Sequence, residues 1–148
     1  MITSILADIL TKELKKLREE IGAFSSEEKL WIIDGDIKNC AGNLCLHMVG
    51  TLNAYIGAEL GKTGYVRDRD GEFNDKNVAR SVLMTKIDDT IEMIEDVLPK
   101  VDSNVLEMDF PLKIQGKSMN TQFFLVHLTS HLSYHLGQVN YLRRLLDI

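Results

Sequence analysis

Apolar residues recur at every third or fourth position through most of this chain, the spacing that places them on one face of an α-helix. In the first stretch they are Ile2, Ile5, Leu6, Ile9, Leu10, Leu14, Leu17 and Ile21. A later stretch repeats the spacing at Leu83, Ile87, Ile91, Ile94 and Leu98. Charged residues occupy the other faces, as in helices packed against a core. The pattern predicts an all-α fold.

Glycine and proline residues divide this pattern into four long helices. The expected helices cover approximately residues 2–21, 37–60, 75–98 and 120–146, with Asn74 or Asp75 capping the third and Pro99 ending it. A chain of 148 residues is the usual length of one domain. We therefore expect a single four-helix bundle domain over residues 1–148.

The connections between the expected helices differ in character. Residues 61–75 are polar and punctuated by glycine, which predicts a loop. Residues 105–115 alternate between apolar and polar side chains, a period of two that predicts an extended segment or a short hairpin. Pro111 argues against a central strand there.

Charge and cysteine usage exclude several functional classes. The net charge is −5 and no basic block is present, so neither nucleic-acid binding nor a polybasic membrane anchor is expected. Apolar stretches are too short to span a bilayer. Cys40 and Cys45 lie about 140° apart around a helix axis, which disfavours a disulfide or a shared metal. Buried free thiols and a cytoplasmic location are the expectation.

Histidines form the most distinctive constellation of the chain. His127, His131 and His135 follow one another at steps of four, so neighbouring side chains stack on one helix face. His131 and His135 can together coordinate one ion, and His47 on a facing helix can supply a third ligand. Three protein ligands leave positions open for water or substrate, as in catalytic sites. The alternative is that these histidines are ordinary hydrogen-bonded side chains.

Two known types of histidine metal site are excluded by neighbouring residues. A zincin has glutamate directly after its first histidine, and here Leu132 follows His131. A ferritin-like di-iron site needs glutamate three residues before histidine. The residues at those positions are Leu44, Phe124, Leu128 and Leu132.

Three segments resemble the DinB-like (damage-inducible, YfiT-type) family of bacterial four-helix metalloproteins. They are HLTSHLSYHLGQVNYLRRLL from His127, LCLHMVGTLNAYIGAELG around His47, and GYVRDRDGEF, which is similar to the branch with an Arg-Asp-Arg loop. The resemblance implies a bundle of up-down-down-up topology. It also implies one divalent metal, commonly zinc or nickel, on His47, His131 and His135, with water or a substrate thiol completing the shell.

Family members with assigned activities are thiol-dependent transferases, so the resemblance implies an S-transferase-like enzyme or a small hydrolase. Its partners would be a low-molecular-weight thiol and a small electrophilic substrate, and a homodimer is expected. One alternative is a non-catalytic metal-binding or stress-response module whose shell is closed by His127. Another is a bundle with an empty site that acts only through protein contacts.

Further residues are candidates for contacts around this centre. Those expected beside the ligands or in the pocket wall are His127, Gln138 and Tyr134. In the charged loop, Arg67 or Arg69 is expected to hold an anionic substrate by bidentate hydrogen bonds, and Asp68 and Glu72 are further possible substrate contacts. The candidates for proton transfer near the pocket mouth are Tyr65, Asp68 and Glu72. The alternative for the loop is a solvated turn with weak local ion pairs.

Overall fold

The computed structural model describes residues 1–148 and is all-helical. Its six α-helices are α1 (Ile2–Ala23), α2 (Ala41–Leu52), α3 (Arg69–Asn74), α4 (Arg80–Val97), α5 (Ser103–Glu107) and α6 (Thr121–Leu146). Short 3₁₀-helices cover Glu27–Trp31 and Leu98–Lys100. There is no β-strand, and the only β-type pairings are three isolated bridges. The all-α prediction is confirmed.

The long helices pack around one continuous hydrophobic core. Helix α1 lies against α4 and α6, while α2 contacts α3, α4 and α6. The apolar stripe expected in α1 is largely buried, from Leu6 to Ile21, but Ile5 and Ile9 at its edge are exposed. Helix α2 is buried on all sides, and its residues are apolar except for the buried Asn43, His47 and Thr51.

The second long helix begins later than its sequence suggested and changes character partway. Residues Asp34 and Ile37 form a bridged tight turn in which Gly35 has φ +55°, so α2 begins only at Ala41. Beyond Leu52 the helix continues as a π-helix over Asn53–Leu60. The Asn53 side chain donates hydrogen bonds of 2.9 Å to the Val49 carbonyl and the Thr90 hydroxyl, tying this segment to α4.

The predicted loop over residues 61–75 contains a helix that the sequence pattern did not indicate. Asp68 caps α3 by accepting a hydrogen bond from the Gly71 amide at 3.1 Å. Helix α3 ends at Asn74, and α4 begins only at Arg80, so neither Asn74 nor Asp75 caps α4. The six residues of α3 are too few for a periodic pattern, which is why they were expected to form a loop.

A short hairpin connects α5 to α6. The period-two pattern was expected to start at residue 105, but residues 105–107 belong to α5. Beyond them, the Phe110 amide donates to the Met119 carbonyl at 2.8 Å, and Ile114 pairs with Lys117. Gln115 and Gly116 both have positive φ, 52° and 78°, as a two-residue hairpin turn of type I′ requires.

Both cysteines are buried and free, as predicted. None of the helices combines the length and the apolar character that crossing a membrane requires.

Candidate metal centre

Helices α2 and α6 bring three of the four histidines together. His47 lies in the middle of α2 with 7% of its surface exposed, and His131 and His135 lie one turn apart on α6. The candidate ligand atoms of the three residues all lie within 4.8 Å of one another. Nε2 of His131 is 3.3 Å from Nε2 of His47 and 3.1 Å from Nε2 of His135.

The opposite ring nitrogens determine the tautomers of two of these imidazoles. Nδ1 of His47 is 3.0 Å from Oε1 of Glu72, and Nδ1 of His135 is 2.7 Å from Oε1 of Gln138. Because both oxygens are acceptors, each Nδ1 carries the proton and each neutral ring keeps a bare lone pair on Nε2. His131 Nε2 can donate a proton to only one of the two. At least one lone pair is therefore left facing the centre without a donor.

This donor set fits a divalent transition-metal ion. Zinc holds imidazole nitrogens at about 2.0–2.1 Å, which separates neighbouring nitrogens by about 3.4 Å in a tetrahedral shell and about 2.9 Å in an octahedral one. The two separations from Nε2 of His131, 3.3 and 3.1 Å, lie between these values. Imidazole suits zinc, nickel, copper and iron alike, so the donor type fits several metals.

Burial keeps the α6 imidazoles in the neutral form that metal ligation needs. Burial, together with the neighbouring His135 and His47, lowers the pKa of His131 from its ordinary 6.5 to about 4. Burial also lowers the pKa of His135, against the opposing effect of its hydrogen bond to Gln138. The pair therefore offers lone pairs rather than protons at neutral pH.

Glu72 holds His47 from behind and is itself held by an arginine. Its side chain is 5% exposed, and Arg67 donates to both carboxylate oxygens, from Nε to Oε2 at 2.8 Å and from Nη2 to Oε1 at 3.0 Å. Burial raises the pKa of Glu72, but hydrogen bonds from His47 and Arg67 outweigh it and the pKa falls below the usual value. Glu72 is therefore ionised, and such a carboxylate orients a ligating imidazole and raises its basicity.

Two residues of α2 make room for this carboxylate and extend its network. A Cβ atom at Gly50 would lie 1.9 Å from Oε2 of Glu72, so only glycine leaves space for the carboxylate there. The Thr51 hydroxyl donates to the His47 carbonyl at 2.8 Å and accepts from Arg67 Nη2 at 3.0 Å. The charged loop and α2 thus form one hydrogen-bonded unit behind His47.

A cavity of about 420 Å³ adjoins the cluster, with His47 and His131 in its wall. Its polar lining residues are His47, Thr51, Arg67, Arg69, Lys113, Gln115, His127 and His131, and its apolar ones are Tyr55, Ile114, Phe124 and Leu128. The volume is within the range of small-molecule sites. The cluster therefore lies at the wall of a space that a metabolite-sized molecule fits.

The structure separates the loop residues that sequence analysis had grouped together. Arg67 and Arg69 line the cavity, whereas Glu72 is buried against His47 and Asp68 uses its carboxylate to cap α3. Tyr65 is outside the cavity lining, and burial raises the pKa of its hydroxyl.

The residues expected beside the ligands also take different places. Gln138 contacts His135 directly. His127 is outside the ligand cluster and lines the cavity wall, with its ring stacked 6.2 Å from that of Phe124. Tyr134 is 66% exposed, with its ring 5.5 Å from that of His135.

Sequence reasoning missed several residues around the centre. Thr51, Tyr55 and Lys113 were not singled out, although all three line the cavity. Thr51 is one helical turn after His47, a spacing that could have indicated it. Lys113 comes from the hairpin, and no local pattern shows which helix a hairpin covers.

The fold and the site define an all-helical protein with a three-histidine candidate metal centre at the wall of a cavity. Residues 5–147 match the family described as "Protein of unknown function (DUF1572)", and the chain belongs to this family. None of the curated proteins matches the sequence.

Proposed function

We propose that this protein is a metal-dependent enzyme that activates a thiol or water on one divalent ion. The observation that carries the proposal is the convergence of three imidazoles beside a cavity, with Nε2 of His131 lying 3.3 Å from that of His47 and 3.1 Å from that of His135. We further propose that the chain has the DinB-like four-helix topology and belongs to the branch with the Arg-Asp-Arg loop, since α1, α2, α4 and α6 are its longest α-helices.

Different side chains would bind that ion, orient the ligand rings and receive a proton. A bound zinc or nickel ion would lower the pKa of a ligated thiol or water, which yields a nucleophile near neutral pH. His47, His131 and His135 would hold the ion, while Glu72 and Gln138 fix the ring orientations of His47 and His135. His127 lines the cavity outside the ligand cluster, so we assign its imidazole nitrogen to receive the proton from the thiol or water.

The reaction class follows from the resemblance described above. A thiol S-transferase would join a low-molecular-weight thiol to a small electrophile, and a hydrolase would use water at the same position. The cavity of about 420 Å³ accommodates one small substrate beside the cluster. We propose a cytoplasmic homodimer, and the two free, buried thiols support a reducing compartment.

A non-catalytic metal-binding module is the alternative, and it needs a closed ligand shell. The only other histidine of α6 is His127, and it lies outside the cluster. Three protein ligands leave at least one position to water or substrate, as in catalytic zinc sites. This arrangement favours the enzyme.

Metal content and turnover test the proposal together. The protein, its His131→Ala/His135→Ala variant and a matched His127→Ala control would be analysed for metal after loading with zinc or nickel. We expect about one ion per chain in the protein and the control, and none in the double variant. Loss of a thiol in the presence of an electrophile such as chlorodinitrobenzene, and hydrolysis of an activated ester, would then be followed for each.

Turnover that depends on the metal and on His131 and His135 would support an enzyme, and His127→Ala should lower it while leaving the metal in place. Metal in the double variant, or none in any protein after loading, would contradict the assignment of the centre. Full metal with no turnover of any thiol or ester would favour the non-catalytic module.

A further inference from the structure

The cavity beside the candidate metal centre is lined by cations and by no carboxylate. Arg67, Arg69 and Lys113 contribute to its wall, in a protein whose net charge is −5. None of the acidic residues of the neighbouring loop lines the cavity, and of these Asp68 caps α3 and Glu72 is buried against His47. A local cationic surface in an acidic protein attracts anions to one place.

The three cations are not equivalent. The charge of Arg67 is matched by Glu72, which accepts from both Nε and Nη2. Arg69 and Lys113 form no ion pair with any carboxylate of the chain. Their charges are therefore free to meet a ligand.

The two unpaired cations come from different elements that face one cavity. Arg69 is the first residue of α3, and its guanidinium lies 5.6 Å from the ring centre of Phe73, whose ring is 4.8 Å from that of His47. Lys113 belongs to the hairpin between α5 and α6. A ligand between them would be held from two sides.

The apolar residues that line the cavity favour a ligand with an apolar group. Ile114, Phe124 and Leu128 line the same cavity as the two cations, and Tyr55 packs its ring 5.0 Å from that of Phe124. An aromatic or aliphatic group of a small molecule would be buried there.

We infer that the substrate of this site is a small organic oxyanion, a carboxylate or phosphate with an apolar body, whose anionic group is held by Arg69 and Lys113. This inference rests on the proposed function, because it names the substrate class of the cavity beside the metal centre. Arginine and lysine both donate charge-assisted hydrogen bonds to such groups. Cationic substrates are disfavoured by the same charges.

Binding of paired probe molecules tests the inference. Benzoate, phenylphosphonate and neutral benzyl alcohol would be titrated into the zinc-loaded protein and followed by nuclear magnetic resonance. The variant Arg69→Gln/Lys113→Gln removes the two unpaired charges. Its matched control, Lys62→Gln/Lys117→Gln, removes two charges from the same loop and hairpin at residues outside the cavity.

We expect the protein and the control to bind benzoate or phenylphosphonate at least about tenfold more tightly than benzyl alcohol, and the double variant to lose this preference. The tighter of the two anions identifies the oxyanion class. Equal binding of anion and alcohol, or an anion preference that survives in the double variant, would overturn the inference. The single variant Lys113→Gln repeats the test in case the double variant folds poorly.

The same titration of chelator-treated protein separates this inference from the proposed function. If no metal is ever taken up, the proposed function fails, yet an anion preference that depends on Arg69 and Lys113 still upholds the anion site. If metal binds normally but the preference is absent, the anion site fails alone.

Discussion

The two sides of the candidate metal centre are held in different ways. On the α2 side, His47 is 7% exposed and the buried, ionised carboxylate of Glu72 lies behind it. Arg67 in turn holds this carboxylate. On the α6 side, His135 is half-buried and rests on the neutral amide of Gln138. The α2 side depends on contacts between distant segments, and the α6 side on the four-residue spacing of one helix. Substitutions on the α2 side should therefore lower stability and metal affinity more than substitutions on the α6 side.

The largest expected effect comes from filling the space behind His47. Gly50→Ala places a methyl group 1.9 Å from Oε2 of Glu72, so the carboxylate must leave its buried position. We expect a loss of about 3 kcal/mol or more in the free energy of unfolding, together with loss of metal binding. Urea unfolding and metal titration would measure both.

Gly137→Ala on α6 is the matched control for that substitution. No atom lies within 4 Å of a Cβ at Gly137, so alanine should stabilise the helix by about 0.5–1 kcal/mol and leave metal binding intact. Equal losses in both variants would show that the two sides do not differ.

Neutralising the buried carboxylate should have the next largest effect. Glu72→Gln keeps the side-chain shape but leaves Arg67 without its ion-pair partner and His47 without a charged acceptor. We expect a loss of about 2–4 kcal/mol in stability and a fall of about 10–100-fold in metal affinity. Competition with a chromophoric chelator would measure the affinity, and Glu92→Gln on α4 would control for the charge. Unchanged affinity would refute the role assigned to Glu72.

Acid should weaken the two sides of the metal-free protein in sequence. Because the pKa values of His131 (about 4) and His135 are lowered in the folded state, the unfolded chain takes up protons first as pH falls below 6.5. Protonation of the two α6 histidines should therefore lower the free energy of unfolding by about 2 kcal/mol between pH 6.5 and 4. The pKa of Glu72 is lowered in the folded state, so its ionised carboxylate stabilises the fold above pH 4.5. This stabilisation is lost only below that pH.

Urea unfolding of the metal-free protein across this pH range would resolve the two losses. His131→Gln/His135→Gln should abolish the loss above pH 4.5 and keep the one below it. A pH dependence above 4.5 that persists in this variant would contradict the assignment.

The smallest effect is expected at the amide behind His135. Gln138→Ala removes one neutral hydrogen-bond acceptor at the half-buried end of the site. We expect about a tenfold loss of metal affinity and less than about 1 kcal/mol of stability. Calorimetric metal titration would compare it directly with Glu72→Gln. A larger loss than that of Glu72→Gln would reverse the proposed order of the two sides.

The same contrast explains what sequence alone could predict. The spacing of His131 and His135 follows from helix geometry, so their shared face was predictable, as was the helix from Thr121 to Leu146. The role of Glu72 was not, because it depends on how a six-residue helix packs against Gly50. Lys113 was not predicted for the same reason, because tertiary packing places the hairpin beside the cavity.

X-ray absorption spectroscopy of the metal-loaded protein tests the central claim most directly, because it counts the imidazoles bound to the ion. We predict three imidazole ligands at about 2.0–2.1 Å for zinc, with the remaining position filled by water or added thiol. His127→Ala should leave the spectrum unchanged. Four imidazoles in the protein and three in His127→Ala would contradict an open site, and fewer than three in the protein would contradict the centre itself.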